Sequence, residues 1–349
     1  MTPELRLDEA VRSLSKRPFE PHPLIRGGHA QTIAGWAWPR RFGLYARRAH
    51  PREEERLFEV EPGVKLLARC RWQVDRTSRP TLLLVHGLGG SDASSYVLGT
   101  AGLGYQAGMN IVRLNQRNCG GTEHLTPTLY HSGLSGDLRA VVGELLDRAR
   151  LPGVFVVCFS MGGNLALKMV GEAGTRAPSG LLGICAISPL IDLSETARYI
   201  ERPSNRFYQW RFVQGLKTMM LRKKELYPEL YDVRELSCVR TVRDFDELYT
   251  AVHWGFADAE DYYAKASSLG FLATIRVPTL VVHAQDDPLV PYAPLARLER
   301  QGNPNVLMVA PSHGGHVGFL SREGGRGRFW AEELIVRFCG LLSARLFAG

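Results

Sequence analysis

The sequence predicts an α/β fold, a mostly parallel sheet with helices on both faces and a helical insertion late in the chain. Three observations predict it. Apolar runs rich in Val, Leu and Ile recur along the chain and end in glycine-rich or polar loops, as strands buried on both faces do. Stretches with helical spacing of apolar side chains follow them, and that alternation builds parallel sheets. Between Pro189 and about Leu272 the alternation stops, and a segment dense in Arg, Tyr, Phe and Trp intervenes before strand-like runs resume. The expected organisation is an irregular N-terminal extension over 1–55, a core formed by 56–190 and 273–349, and a helical cap over 191–272.

The elements follow in order. From Arg56 to Val74 apolar residues alternate around Pro62-Gly63, which reads as an antiparallel hairpin at the sheet's edge. Pro80 to Gly90 is a buried strand running into a glycine-rich loop, with a helix to about Gly108. Met109 to Leu114 is the next strand, ending in Asn115-Gln116-Arg117-Asn118-Cys119-Gly120-Gly121, whose glycines and asparagines tolerate positive φ. A helix is expected from about Ser132 to Arg150, then the strand Val154 to Phe159 with its helix, then the strand Leu181 to Ser188. Beyond the insertion come strands over Val277 to His283 and Asn305 to Ala310, and a closing helix over Phe329 to Leu346.

Totals narrow the class. With 349 residues, 45% of them apolar and 22% charged, the chain is neither disordered nor fibrous. No window approaches 18 uninterrupted apolar residues, and the opening Met1-Thr2-Pro3-Glu4 lacks a basic start and an apolar core, so a cytoplasmic protein without a membrane span is expected. Six scattered cysteines form no C-x-x-C pair and no cluster of zinc spacing, so reduced thiols and no metal are expected. No full G-x-G-x-x-G and no G-K-[ST] occurs, which argues against a nucleotide cofactor. The net charge of +8 would permit nucleic acid or an anionic membrane surface, but Lys and Arg are spread among acids, and no nucleic-acid partner is expected. The densest basic piece, Arg206 to Lys224, interleaves Trp210, Phe212, Met219 and Met220. It reads either as a solvated helix face over a core or as an amphipathic helix making peripheral contact with a membrane or acidic partner.

The chemistry centres on one corner. In Val157-Cys158-Phe159-Ser160-Met161-Gly162-Gly163 a buried strand turns straight into a helix. Such a corner forces its central residue into a strained backbone and needs small neighbours, so Ser160 projects outward as a candidate nucleophile. The bland alternative is a serine N-cap. The same turn sets the first helical amide, that of Met161, beside the serine oxygen, and the amide of Leu88 in the loop His86-Gly87-Leu88-Gly89-Gly90 is a second candidate donor to an oxyanion. A serine hydroxyl needs an imidazole to take its proton and a carboxylate to orient the imidazole. Candidates lie at two strand ends, in Gln285-Asp286-Asp287-Pro288 and in Ser312-His313-Gly314-Gly315-His316-Val317-Gly318-Phe319. His86 reads as a strand-end packing residue and His29 as a capping or packing residue.

Taken together, Gly28-His29-Ala30-Gln31-Thr32-Ile33, His86-Gly87-Leu88-Gly89-Gly90, Arg117-Asn118-Cys119-Gly120-Gly121, Phe159-Ser160-Met161-Gly162-Gly163-Asn164, Asp286-Asp287-Pro288 and His313 to Phe319 make the chain resemble, over almost its whole length, the α/β-hydrolases of the YheT type. These are relatives of α/β-hydrolase-domain lipases and esterases. The resemblance implies Ser160 as nucleophile, Asp287 as orienting acid and His316 as base, in preference to Asp286, Asp192 and His313. It also implies a cofactor-free serine hydrolase acting on small-molecule or lipid carboxylic esters through an acyl-enzyme. Thioesters, or a binding module with a vestigial triad, are the rival readings. Two positions depart from the family pattern: Cys158 stands where glycine is usual, and Asn118 where many relatives carry glycine.

Overall fold

The computed structural model describes residues 18–37, 53–322 and 329–344. Eight strands form one sheet: β1 (Glu54–Glu61), β2 (Val64–Arg71), β3 (Thr81–Val85), β4 (Asn110–Leu114), β5 (Val154–Phe159), β6 (Leu181–Ile187), β7 (Thr279–Val282) and β8 (Val306–Val309). Their spatial order is β1-β2-β4-β3-β5-β6-β7-β8. β2 pairs antiparallel with both β1 and β4, and every other pairing is parallel.

Alternation along the strands sorts their side chains into two cores. Leu83, Val85, Val112, Val156 and Ala186 face α3 (Ser135–Gly143) and α4 (Met161–Ala173). Leu82, Leu84, Phe155, Val157 and Ile187 face α2 (Ser95–Gln106) and, near the C-terminus, α9 (Trp330–Ser343). β3, β4 and β5 are buried at every position, which explains the apolar runs Leu82–Val85 and Val154–Phe159. The expected long helix from Ser132 begins at Ser135 and continues past Gly143 to Arg148 in a wider, π-type turn.

Much of the expected N-terminal extension lies outside the described residues, but 18–37 contain a helix that its irregular text does not suggest. Gly28–Ala37 forms a helix, α1, and Pro21 bridges to Ser321. Between β6 and β7 lie α5 (Leu193–Ile200), α6 (Arg206–Leu226), a winding of short helical turns, and α7 (Ala259–Ala266). A third apolar cluster joins this insertion to the core, uniting Val213, Leu216, Met220 and Phe245 with Leu129, Tyr130 and Met161. The insertion also grips the segment after β4 by polar contacts. The buried Lys223 ammonium donates to the carbonyls of Glu123 and Thr126, the Tyr227 hydroxyl donates to that of His124, and the Tyr231 hydroxyl donates to that of Pro127. α8 (Ala293–Gln301) follows β7 in the chain, and its Leu295 packs in the same apolar core as Val281 of β7, with Val306 and Met308 of β8 against it.

Candidate active site

Ser160 sits between β5 and α4 with φ 54° and ψ −121°, a region that residues other than glycine rarely enter. Its neighbours explain how the corner closes. A side chain at Gly87 would meet the Ser160 Cβ at 2.8 Å, one at Gly162 the carbonyl of His86 at 2.7 Å, and one at Gly163 the Pro189 Cβ at 2.9 Å. Cys158, by contrast, lies fully buried within β5, paired with Val85 and Ala186, so the departure from glycine leaves the corner intact. Asn118 adopts φ 61° and donates its side-chain amide to the Thr128 carbonyl, so asparagine serves where glycine is commoner.

The loops after β7 and β8 bring a carboxylate and an imidazole to this serine. His316 Nε2 lies 2.9 Å from Ser160 Oγ, and its Nδ1 lies 2.8 Å from Asp287 Oδ2. An ionised carboxylate only accepts, so Nδ1 carries the hydrogen and Nε2 is left to accept from the serine hydroxyl. The other Asp287 oxygen accepts from the amides of Leu289 and Val290, at 2.8 and 3.0 Å. Burial alone would raise the Asp287 pKa, but the His316 charge, the hydrogen bond from its ring and the backbone amides outweigh it and hold the carboxyl below its ordinary value.

Asp286 and His313 form a separate pair, 3.2 Å apart, with Asp286 also accepting from the Gly315 amide at 2.9 Å. Neither of them bonds to Ser160. Asp192 caps α5 by accepting from the Glu195 amide. His86 is buried, bonded to the Gly87 carbonyl and the Gln116 amide, and its desolvation lowers its pKa to about 4, so the ring is neutral.

The amides read as oxyanion donors are free to act. Met161 opens α4, so its N–H stands outside the helical ladder. In the loop after β3, the hydroxyls of Tyr96 and Tyr130 accept from Gly87 and Gly89, while the Leu88 amide between them takes no partner among the described residues.

Three supporting residues carried no chemical signal in the sequence. Thr32 of α1 donates its hydroxyl to the Gly28 carbonyl and accepts from the His316 amide at 2.8 Å. Gln31 donates to the Leu320 carbonyl and accepts from the Leu320 amide, and Ser188 accepts from the Val317 amide. Together they hold a histidine loop that places Val317 at φ 54° and Phe319 at φ 44°. Glycine is required here, because a side chain on Gly28 would strike the Asp286 carbonyl at 1.9 Å. His29, three residues before Thr32, stacks on Tyr208 of α6 with rings 5.7 Å apart.

Two cavities meet at Leu88. One, of about 480 Å³, is lined by Gly89, Asn118, Trp210, Phe212 and Met219 among others. The other, of about 90 Å³, is narrower and touches Met161, Leu190, Ile200, Leu216 and Phe245. Its lining includes Asp246, whose carboxyl burial pushes up to about 6 although Thr250 and Tyr263 hydroxyls bond to it. Among the described residues no three His, Cys, Asp or Glu side chains are grouped to hold a metal ion.

Residues 80–323 match the family model for the alpha/beta hydrolase fold. The chain belongs to the α/β-hydrolase family. It is 31% identical to the phospholipase ABHD3 of Mus musculus over 71% of its own length and 60% of the relative's. Against the monoacylglycerol lipase of Saccharomyces cerevisiae it is 34% identical over 74% of itself and 58% of that protein, and against YheT of Escherichia coli 31% identical over 74% and 75%. The chain thus spans somewhat under two thirds of these two eukaryotic relatives, and three quarters of YheT. This α/β-hydrolase has no helix, among its described residues, long and apolar enough to cross a membrane.

Proposed function

We propose that this α/β-hydrolase is a cofactor-free serine hydrolase of carboxylic esters, with Ser160, His316 and Asp287 as its triad and residues 191–272 as its cap. One observation carries the reading: a single imidazole bridges the strained serine and a buried carboxylate at 2.9 and 2.8 Å. Ser160 Oγ attacks the acyl carbon while His316 Nε2 takes its proton. Asp287 stabilises the resulting imidazolium, and the amides of Leu88 and Met161 receive the oxyanion. Collapse expels the alcohol, which takes the proton from His316, and water then cleaves the acyl-enzyme by the same route. The test is labelling with a fluorophosphonate, followed by mass spectrometry of the modified peptide and a burst assay with chromogenic esters. Label on Ser160 and an acyl burst support the proposal; an unlabelled Ser160 in folded protein sinks it.

The substrates we favour are lipid esters. The narrower cavity is walled largely by apolar side chains, the wider one sets Trp210, Phe212 and Met219 beside polar groups such as Asn118 and Gln214, and two relatives are named for phospholipase and monoacylglycerol lipase activity. The thiols of all six cysteines are free, which suits a reducing compartment such as the cytoplasm. A panel of acyl esters against acyl thioesters separates the ester reading from its thioesterase rival.

A further inference from the structure

Lys and Arg run through the whole chain, but their excess over the acids is concentrated. Positions 21–52 hold six arginines and no acid, and positions 202–224 hold seven Lys and Arg and no acid. Those thirteen belong to a total of 43, so the rest of the chain has 30 basic residues against all 35 acids. The whole positive excess therefore lies in two stretches.

The described parts of these stretches are neighbours in space. His29 of α1 stacks on Tyr208 of α6, and the Arg211 guanidinium lies 4.6 Å from the centre of the Trp36 ring. Together they present large apolar side chains to solvent: Trp36 is 63% exposed, Phe207 57% and Trp210 58%. The stripe continues along α6 through Gln214 and Lys217 to Leu221, at alternating spacings of three and four residues. Arg206, Arg211 and Lys217 have no carboxylate partner among the described residues. Trp210, Arg211 and Phe212 also line the larger cavity, so the face borders the cavity that reaches Leu88.

We propose that this face, built from α1 and the stripe of α6 from Arg206 to Leu221, seats the enzyme on a bilayer surface bearing anionic lipid headgroups. The aromatic rings enter the headgroup boundary while the unpaired cations meet lipid phosphates, the pairing that holds amphipathic helices in an interface. The proposal extends the lipid-ester reading above, because a seated enzyme opens its larger cavity toward the membrane that supplies the ester. An acidic protein or a nucleic acid would use the cations but leaves three exposed aromatic rings unexplained.

Co-flotation with vesicles tests it, using full-length Ser160→Ala protein so that binding is read apart from hydrolysis. Vesicles of phosphatidylcholine with about one quarter phosphatidylglycerol should retain the protein, and pure phosphatidylcholine should retain at least about tenfold less. Raising salt from about 0.1 to about 1 M, which shortens the screening length from ~10 to ~3 Å, should release most of it. The pair Trp36→Ser with Phe207→Ser, and separately Arg206→Glu, should each weaken retention about tenfold or more, while in the Ser160 background turnover of a water-soluble ester stays within about twofold. Retention that ignores lipid charge and these substitutions overturns the proposal, as does binding to duplex DNA with none to vesicles. Vesicle binding without any ester turnover would instead leave the surface standing and remove the enzymatic reading.

Discussion

The loops after β7 and β8 meet twice, and the two meetings use the same chemistry at different depths. Asp287 and His316 are 2.8 Å apart with side chains 0% and 11% exposed, whereas Asp286 and His313 are 3.2 Å apart and 21% and 48% exposed. Depth changes what each pair can do. The outer pair is solvated and worth about 0–1 kcal/mol, a brace for the loop. In the inner pair water cannot share the carboxylate's charge, so the imidazole and two backbone amides carry it, and breaking such a pair typically costs about 3–5 kcal/mol. Adjacent residues in one chain thus receive different roles because successive side chains point apart.

The largest predicted effect breaks the inner meeting at its far end. His316→Gln and Ser160→Ala should each lower kcat/KM for a soluble ester by roughly four to six decades, since triad members act as a unit. His313→Gln should stay within about threefold, the scale of a lost exposed contact. Equal losses for the two histidines would refute the difference in role.

Next comes the carboxylate pair, where Asp287→Asn should cost about four decades of turnover, because an amide can hold the wrong imidazole tautomer, while Asp286→Asn costs several-fold at most. Stability sharpens the comparison. The folded pKa of Asp287 lies below the ordinary 3.8, so its stabilisation is full above that value and is lost as pH falls through the folded pKa. The Tm deficit of Asp287→Asn should therefore be greatest at neutral pH and shrink below about 3.8. A deficit that grows in acid would show that the carboxyl is held neutral.

A smaller effect probes what aims the inner histidine. Thr32→Val removes the acceptor of the His316 amide without touching the triad, and an unpaired partly buried amide is worth about 1–2 kcal/mol, or roughly tenfold in kcat. KM should change little, and Thr32→Ser, which keeps both hydroxyl bonds, should restore the rate. A Thr32→Val enzyme that loses stability but keeps its kcat would make α1 a structural clamp only.

How much of this was legible follows from the same contrast. The strands were readable because burial on both faces leaves an unbroken apolar text, as in Leu82 to Val85. Ser160 was readable because a tight corner needs small neighbours on its own strand and helix. Choosing between His313 and His316, or between Asp286 and Asp287, was not possible from spacing, since like residues in one loop differ only in which one the fold buries; the family resemblance supplied the choice. The role of Gly28 to Thr32 was hidden for another reason. Its contacts to the histidine loop span 284 residues of sequence, and glycine, glutamine and threonine announce no chemistry until the loop they hold is in place. Ser188 is a lone hydroxyl with the same history.

The smallest effect on rate should come from the cap, and it separates chemistry from choice of substrate. Both meetings of the β7 and β8 loops are made outside the insertion, whereas the cavities at Leu88 are walled in part by it: Trp210, Phe212 and Met219 on the wider one, Leu216 and Phe245 on the narrower. If the cap only selects, Phe212→Ala should enlarge the wider cavity and shift the preferred acyl or alcohol length, with rate changes of about three- to tenfold on any one ester, the range expected of one apolar pocket contact. Phe245→Ala should act on the narrower cavity and shift tolerance for the other half of the ester. Phe245 packs in the cluster that joins cap to core, so its variant must first be shown folded by its melting transition. Comparing both variants across an ester series of graded acyl and alcohol length assigns the two cavities to the two halves of the substrate. A uniform loss across the whole series, with Ser160 still labelled, would mean that the cap shapes the triad itself and that the division between core chemistry and cap selection is wrong.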